Sequence, residues 1–300
     1  MASAGRKKKI EWFDIVVYAF LTVFALLIII PFYNMLLVSF AGERTNNANP
    51  GMLFLAPSDF TLVNYKYVFD APILFSGYLS TLYIVGLGTV YAMVITLLTA
   101  YALSRTNYPG RKLFFALFAL IPMYFGGGLI PAYLNIRDLG LLNQRIAIVL
   151  MGGVSCFNII IIKSSIEQMP ESMLEAAKID GASELKIFFR IVLPLQLPII
   201  ATFSLFVAVG YWNEWFWPMM VLDKSDQWPL PLVLRAVVNS GVGNFNANVN
   251  MQGYKDLTSQ VSGVGTQMAT LFLTIAPIMI VYPFLQKYFV KGALVGAIKM

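Results

Sequence analysis

Apolar residues in this chain fall in long blocks separated by short polar segments. A helix needs about 20 mostly apolar residues to cross roughly 30 Å of hydrocarbon. Six blocks approach that length: Ile15–Phe40, Tyr78–Leu103, Leu113–Ile130, Ile146–Ile162, Leu195–Leu222 and Gln267–Leu285. The pattern predicts an all-α membrane protein with six transmembrane helices. Gly126-Gly127-Gly128 and Pro131 loosen the far end of the third block. The first and fifth blocks are long enough to tilt or to project past the bilayer. Pro31, Pro198 and Pro277 sit in or near spans and predict kinks, which neighbouring helices make tolerable.

Composition sharpens this picture. The chain is 58% hydrophobic and 12% charged, with a mean hydropathy of +0.72. A soluble domain carries roughly twice that charge. Arg6-Lys7-Lys8-Lys9 before the first block resembles the start of a signal peptide, but the run of about 26 apolar residues exceeds the 7–15 of a signal core. The first span is therefore expected to be retained. Segments 1–14, 104–112, 163–190 and 287–300 hold 14 Lys or Arg in 65 residues, against 7 in 96 for 41–77, 131–145 and 223–266. The positive-inside rule places the first set in the cytoplasm. Both termini and the 163–190 loop are thus expected on the cytoplasmic side. The single cysteine, Cys156, cannot form an internal disulfide, and the absence of histidine removes the commonest metal ligand and neutral-pH base. Nothing predicts a metal site, a bound cofactor or a catalytic residue.

The most informative segment is the cytoplasmic loop. Pro170 suits the first position of a helix. Glu171-Ser-Met-Leu-Glu-Ala-Ala-Lys-Ile-Asp180 has good helix propensity, Gly181 is placed to end it, and Ser183 can cap a second helix towards the fifth span. Glu171 and Glu175 share one face, where like charges disfavour an isolated helix. Lys178 is expected to offset part of that repulsion. An acidic face beside small Ala176 and Ala177 suits a close-approaching basic partner.

Glu175-Ala176-Ala177, then Gly181, then Ile191-x-Leu193-Pro194 reproduce the spacing EAA-x3-G-x9-I-x-L-P. On these residues the chain resembles the permease subunits of binding-protein-dependent ABC importers, and the resemblance covers the whole six-span layout. It implies the type I ABC importer permease fold with a cytoplasmic coupling helix. It also implies that Glu171, Glu175, Ala176, Ala177, Gly181 and Pro194 form the ATPase-coupling site. The tail Lys291-Gly292…Gly296…Met300 is similar to that of maltose-type permeases, with Met300 where a glycine is usual. Residues 1–14 would form a cytoplasmic segment, 15–290 the permease domain (coupling loop 163–194, outer loop 223–266), and 291–300 a cytoplasmic tail. The implied partners are two nucleotide-binding ATPase subunits holding ATP and Mg, a second permease subunit (a heterodimer by analogy with maltose-type systems, or a second copy), an extracytoplasmic solute-binding protein and membrane lipids. No nucleic acid is expected. The chain lacks GxxxxGK[ST], so ATP hydrolysis by that machinery must come from separate subunits.

At the outer end of the fifth span lies Tyr211-Trp-Asn-Glu-Trp-Phe-Trp-Pro218. Three tryptophans there fit an interfacial aromatic belt. Glu214 asks for more, because an acid in or near a span usually faces a cavity or partner. Aromatic faces with Asn and Glu side chains suit sugars. Tyr211, Trp212, Asn213, Glu214 and Trp215 are therefore the expected substrate path. Met123-Tyr-Phe-Gly-Gly-Gly-Leu-Ile-Pro131 and Leu139-Gly-Leu-Leu-Asn143 resemble the branch that imports oligogalacturonides and alginate. That implies an anionic oligosaccharide, whose charge would be met by Arg137, Arg145, Lys224, Arg235 or the partner permease. The Asn/Gly-rich stretch 239–250 reads as a loop unable to pack a core. Asn239, Gly241, Asn244, Phe245 and Asn246 are its expected contacts with the binding protein. Two readings compete. An ion-coupled secondary transporter would usually show intramembrane carboxylates beyond Glu214. An intramembrane enzyme is disfavoured by the missing histidine.

Overall fold

The computed structural model of the chain describes residues 12–105, 110–125, 127–245 and 261–297. Its helices are α1 Trp12–Ser39, α2 Glu43–Ala48, α3 Val63–Phe69, α4 Pro72–Ser104, α5 Arg111–Tyr124 and α6 Leu129–Asp138. They continue with α7 Arg145–Met151, α8 Cys156–Glu167, α9 Glu171–Ile179, α10 Glu184–Leu195 and α11 Leu197–Trp212. The last three are α12 Phe216–Val221, α13 Leu230–Phe245 and α14 Gly263–Ala297. Among the described residues there is no strand, only one antiparallel bridge between Ala41 and Phe60.

Among the described residues three helices, α1, α4 and α14, are long and apolar enough to cross a membrane unbroken. The other three expected spans are interrupted, so their continuity must be corrected. Residues 113–130 divide into α5 and α6, with Gly128 at φ +78°. Residues 146–162 bend by 51° between α7 and α8. The fifth span bends by 80° between α10 and α11, ends at Trp212, and resumes as α12. The chemistry of the breaks is local. Ala116–Leu120 and Phe188–Val192 widen into π-helical turns directly upstream of Pro122 and Pro194. Proline lacks an N–H, and its ring clashes with the carbonyl four residues back; a wider turn relieves that clash. Pro198 then has no N–H for the Pro194 carbonyl, and the helix folds at Gln196 between them.

The chain forms two compact units. One comprises Met1–Ala71 and Val237–Leu273. Here α1 exposes apolar side chains all round from Trp12 to Tyr33 and buries only Met35, Val38 and Ser39. Its final carbonyls would be orphans, and two buried asparagines take them. Asn46 donates to Val38 O and Ala41 O at 3.1 and 3.0 Å, and Asn64 donates to Ser39 O and Ala41 O at 3.0 and 2.8 Å. Asn64 also accepts from Ser262 N at 3.0 Å, and Glu43 accepts from Gly263 N at 3.2 Å. The end of α1 is thereby tied to the start of α14.

The second unit comprises Pro72–Ala236 and Thr274–Met300. The long α4 is its axis, packed by α7, α8 and α11. One core gathers Leu97, Tyr101, Ile159, Ile162, Ile166, Ile187, Phe188 and Phe203. Another gathers Ile84, Ala92, Ile136, Ile148, Tyr211 and Val221. Tyr211 sets the spacing of the second. A Cβ on Gly88 would lie 2.7 Å from its ring, and one on Gly152 2.6 Å away, so both glycines are required by close approach. Thr81, buried in α4, accepts from Leu230 N at 2.8 Å and caps the start of α13.

Candidate docking loop and membrane cavity

The loop between α8 and α11 is anchored at its base. Glu167 pairs with Arg111 and with Lys163, the latter at 2.8 Å. Arg111 also donates to Leu103 O at 3.2 Å. Gln196, buried at the bend, accepts from Ser165 Oγ at 2.8 Å and donates to Ser165 O at 3.4 Å. From this base α9 lies with Leu174 buried in the core and Glu171, Glu175 and Ala176 exposed. Its end is a Schellman turn: Ala182 N donates to Ala177 O and Gly181 N to Lys178 O, both at 3.0 Å. Gly181 sits at φ +76°, where a Cβ is penalised. Ser183 then accepts from Lys186 N at 3.4 Å and caps α10.

Lys178 does not offset the acidic pair as the sequence suggested. Its ammonium lies 2.7 Å from Glu184, and neither Glu171 nor Glu175 has an ion pair among the described residues. Lys178 first, then the hydroxyl of Tyr101, holds the Glu184 carboxyl below its ordinary range. The outcome is an exposed, uncompensated acidic face flanked by apolar Met173 and by Ile179, which is 87% exposed.

Within the other part of this unit, the break between α7 and α8 opens a cavity of about 370 Å³. Gly153 N turns to Leu150 O, which leaves Val149 O free; Tyr211 OH donates to it at 2.7 Å. Ser155 caps α8 by accepting from Asn158 N at 3.3 Å. Glu214 accepts from Phe216 N and Trp217 N at 2.8 and 3.0 Å and so caps α12 with one carboxylate oxygen. Ser155, Asn158, Tyr211, Glu214 and Trp217 line the cavity.

A family profile described as "binding-protein-dependent transport system inner membrane component" matches residues 112–294. The chain belongs to this family. It is 38% identical to the polygalacturonan/rhamnogalacturonan transport system permease protein YtcP of Bacillus subtilis, over 96% of this chain and 98% of that one. It is 38% identical to protein LplC of the same species, over 96% and 95%. A solved bacterial ABC transporter involved in import of the acidic polysaccharide alginate matches with a TM-score of 0.83 and 31% identity, over 96% of this chain and 100% of that one. A second chain, from the alginate transporter in complex with its pentasaccharide-bound periplasmic protein, matches in fold alone, at 15% identity and a TM-score of 0.57. The chain is therefore a membrane transport subunit with the type I ABC importer permease fold.

In this permease the expected coupling residues divide. Glu171, Glu175, Ala176, Ala177 and Gly181 fall on α9 and its terminal turn, while Pro194 lies apart, at the bend. Of the expected path residues, Tyr211 and Glu214 line the cavity. Trp212 is buried, with an indole N–H that has no acceptor among the described residues. Asn213 instead donates to Val209 O at 2.8 Å and finishes α11. Trp215 lies under the Arg235 guanidinium at 3.7 Å. The Asn/Gly-rich stretch needs correction. Asn239, Gly241, Asn244 and Phe245 lie on α13, a helix rather than a loop, while Asn246 lies outside the described residues. The cavity residues Ser155 and Asn158 went unnoticed in the sequence. Their signal was a Gly-Gly-x-Ser break followed by a polar Asn in an apolar span.

Proposed function

We propose that this permease forms half of the translocation path of an importer for acidic oligosaccharides, alginate-like or oligogalacturonide-like. An extracytoplasmic binding protein delivers the sugar, and two separate subunits hydrolyse ATP with Mg. A second, related permease completes the path. The chain lies in the bacterial cytoplasmic membrane with both termini and the 163–190 loop inside.

The observation that carries this reading is the acidic face of α9, ended by Gly181 and anchored at its base. Glu171, Glu175, Ala176, Ala177 and Gly181 dock the ATPase; Pro194 sets the bend that passes movement on to α11. The α7–α8 cavity fits a sugar chemically. Asn158 and the second oxygen of Glu214 address hydroxyls, and the Tyr211 and Trp217 rings offer faces to C–H groups. Relatives named for polygalacturonan and alginate transport support an acidic cargo. Among the candidate outer cations, Arg137 is paired with Asp138, and Arg145 donates to Asp226 O. Arg235, held over the Trp215 ring, has no carboxylate partner among the described residues and suits a uronate. Residues 239–246 are our proposed contact with the binding protein.

The test is ATPase stimulation in proteoliposomes holding the complete transporter and its binding protein. Oligogalacturonides or alginate oligomers should stimulate hydrolysis and enter; maltotriose should do neither. Equal stimulation by maltotriose would overturn the cargo class. A purified complex with no ATPase subunit would overturn the importer reading.

A further inference from the structure

We infer that Glu184 latches the docking loop to α4, so that a displacement of α9 reaches two spanning helices at once. The inference rests on the reading of α9 as the ATPase-docking helix. Three helices meet at this one carboxylate. Tyr101, in the last turn of α4, donates its hydroxyl to Glu184 Oε2 at 2.5 Å. Lys178, in the last turn of α9, lies 2.7 Å from Oε1. Glu184 itself opens α10 and so continues, through the bend at Gln196, into α11.

The partner on α4 is held in place. Tyr101 is 9% exposed, its ring lies 5.0 Å from the Phe188 ring of α10, and the Arg105 guanidinium stands over it, 4.5 Å from the ring centroid. The rest of the seat is different in kind. Leu174 rests among Ile162, Ile166 and Ile187, and apolar contacts of that sort are non-directional. A charge-assisted hydrogen bond is short and directional, so it resists sliding where the apolar seat does not. Room to move exists beside it. A cleft of about 560 Å³ runs under α9, lined by Tyr101, Arg105, Glu167, Glu175, Lys178 and Glu184. All three residues of the latch line that cleft. Cut, it would let the ATPase rock α9 into the cleft without moving α4. Glu184 is therefore a positioning residue for coupling, not a docking contact.

The experiment uses the complete transporter in proteoliposomes, with Glu184→Gln, Tyr101→Phe and the double variant. Two quantities are read: ATPase subunits retained per permease, and ATP hydrolysed per sugar imported. Each single variant should retain its ATPase subunits while the ATP consumed per sugar rises about threefold or more. The double variant should lose less than the sum of the two singles, because both weaken the one Tyr101–Glu184 hydrogen bond, while Glu184→Gln also gives up the charge facing Lys178. An unchanged ratio in the single variants would overturn the latch, as would additive losses in the double. Loss of ATPase subunits from the Gln variant would also overturn it, by making Glu184 part of docking or folding. A wild-type complex without ATPase subunits would be a different failure, that of the docking reading itself.

Discussion

The α8–α11 loop and the aromatic segment at the end of α11 both interrupt helices, yet they use their polar groups in opposite ways. In the loop, the interior polar groups are satisfied at the base and in the turns: Glu167 by Arg111 and Lys163, Gln196 by Ser165, Glu184 by Lys178 and Tyr101. What is left outside is an acidic, partly apolar face. In the aromatic segment the polar groups close helix ends and what is left faces inward. Tyr211 satisfies a freed carbonyl, Asn213 ends α11, and Glu214 caps α12 with one oxygen while its other side lines the cavity. On the proposed reading one break builds a handle for the ATPase; the other builds a small concave site.

The comparison breaks most severely at Gly181. Gly181→Val forces a β-branched residue into the left-handed region, at a cost on the order of 1–3 kcal/mol. The Schellman turn should be lost, and the ATPase-to-permease ratio of the purified complex should fall about tenfold. A full complement of ATPase in that variant would show that the turn does not set the handle. Gly152→Ala comes next. Its Cβ would overlap the Tyr211 ring, and displacing that hydroxyl strands Val149 O, for a combined cost of about 1–3 kcal/mol. Thermal unfolding of the complex should start at lower temperature and uptake should fall, while the ATPase subunits stay bound. Asn158→Ala should be the mildest. Uptake should drop about three- to tenfold with stability and ATPase binding unchanged, as for one lost substrate hydrogen bond. Equal loss of ATPase binding would erase the distinction between the two regions.

The sequence carried the loop nearly intact because its signals are local. Proline at a helix start, glycine at a helix end and a serine cap act within a few residues; Gly181 and Ser183 sit where expected, and Pro170 falls one residue earlier than expected, as the cap before Glu171 rather than the first helical residue. The span interruptions were only partly visible. Pro194 and Pro198 announce a kink, but an 80° bend needs buried Gln196 pinned to Ser165, a contact 31 residues away in sequence. The cavity was less visible still, since it depends on Tyr211 of α11 entering the gap left by Gly88 of α4 and by Gly152, just past the end of α7. The stretch from Asn239 misled by composition. Leu230, Val233 and Val237 are spaced for one helix face and are fully buried, and that stripe carries the helix through Phe245 despite its asparagines and glycines. Lys178 misled in another way: an apparent neighbour on the α9 surface belongs instead to Glu184, across the Gly181 turn.

The central claim is that α9 is the surface gripped by the ATPase. The most direct measurement is site-specific cross-linking in a Cys156→Ala background, comparing Ala176→Cys with Asn213→Cys in the transport-active complex. A short bifunctional maleimide should join position 176 to the ATPase subunit, and position 213 should give no such product. An active complex in which position 176 never reaches the ATPase, or in which position 213 does, would contradict the account.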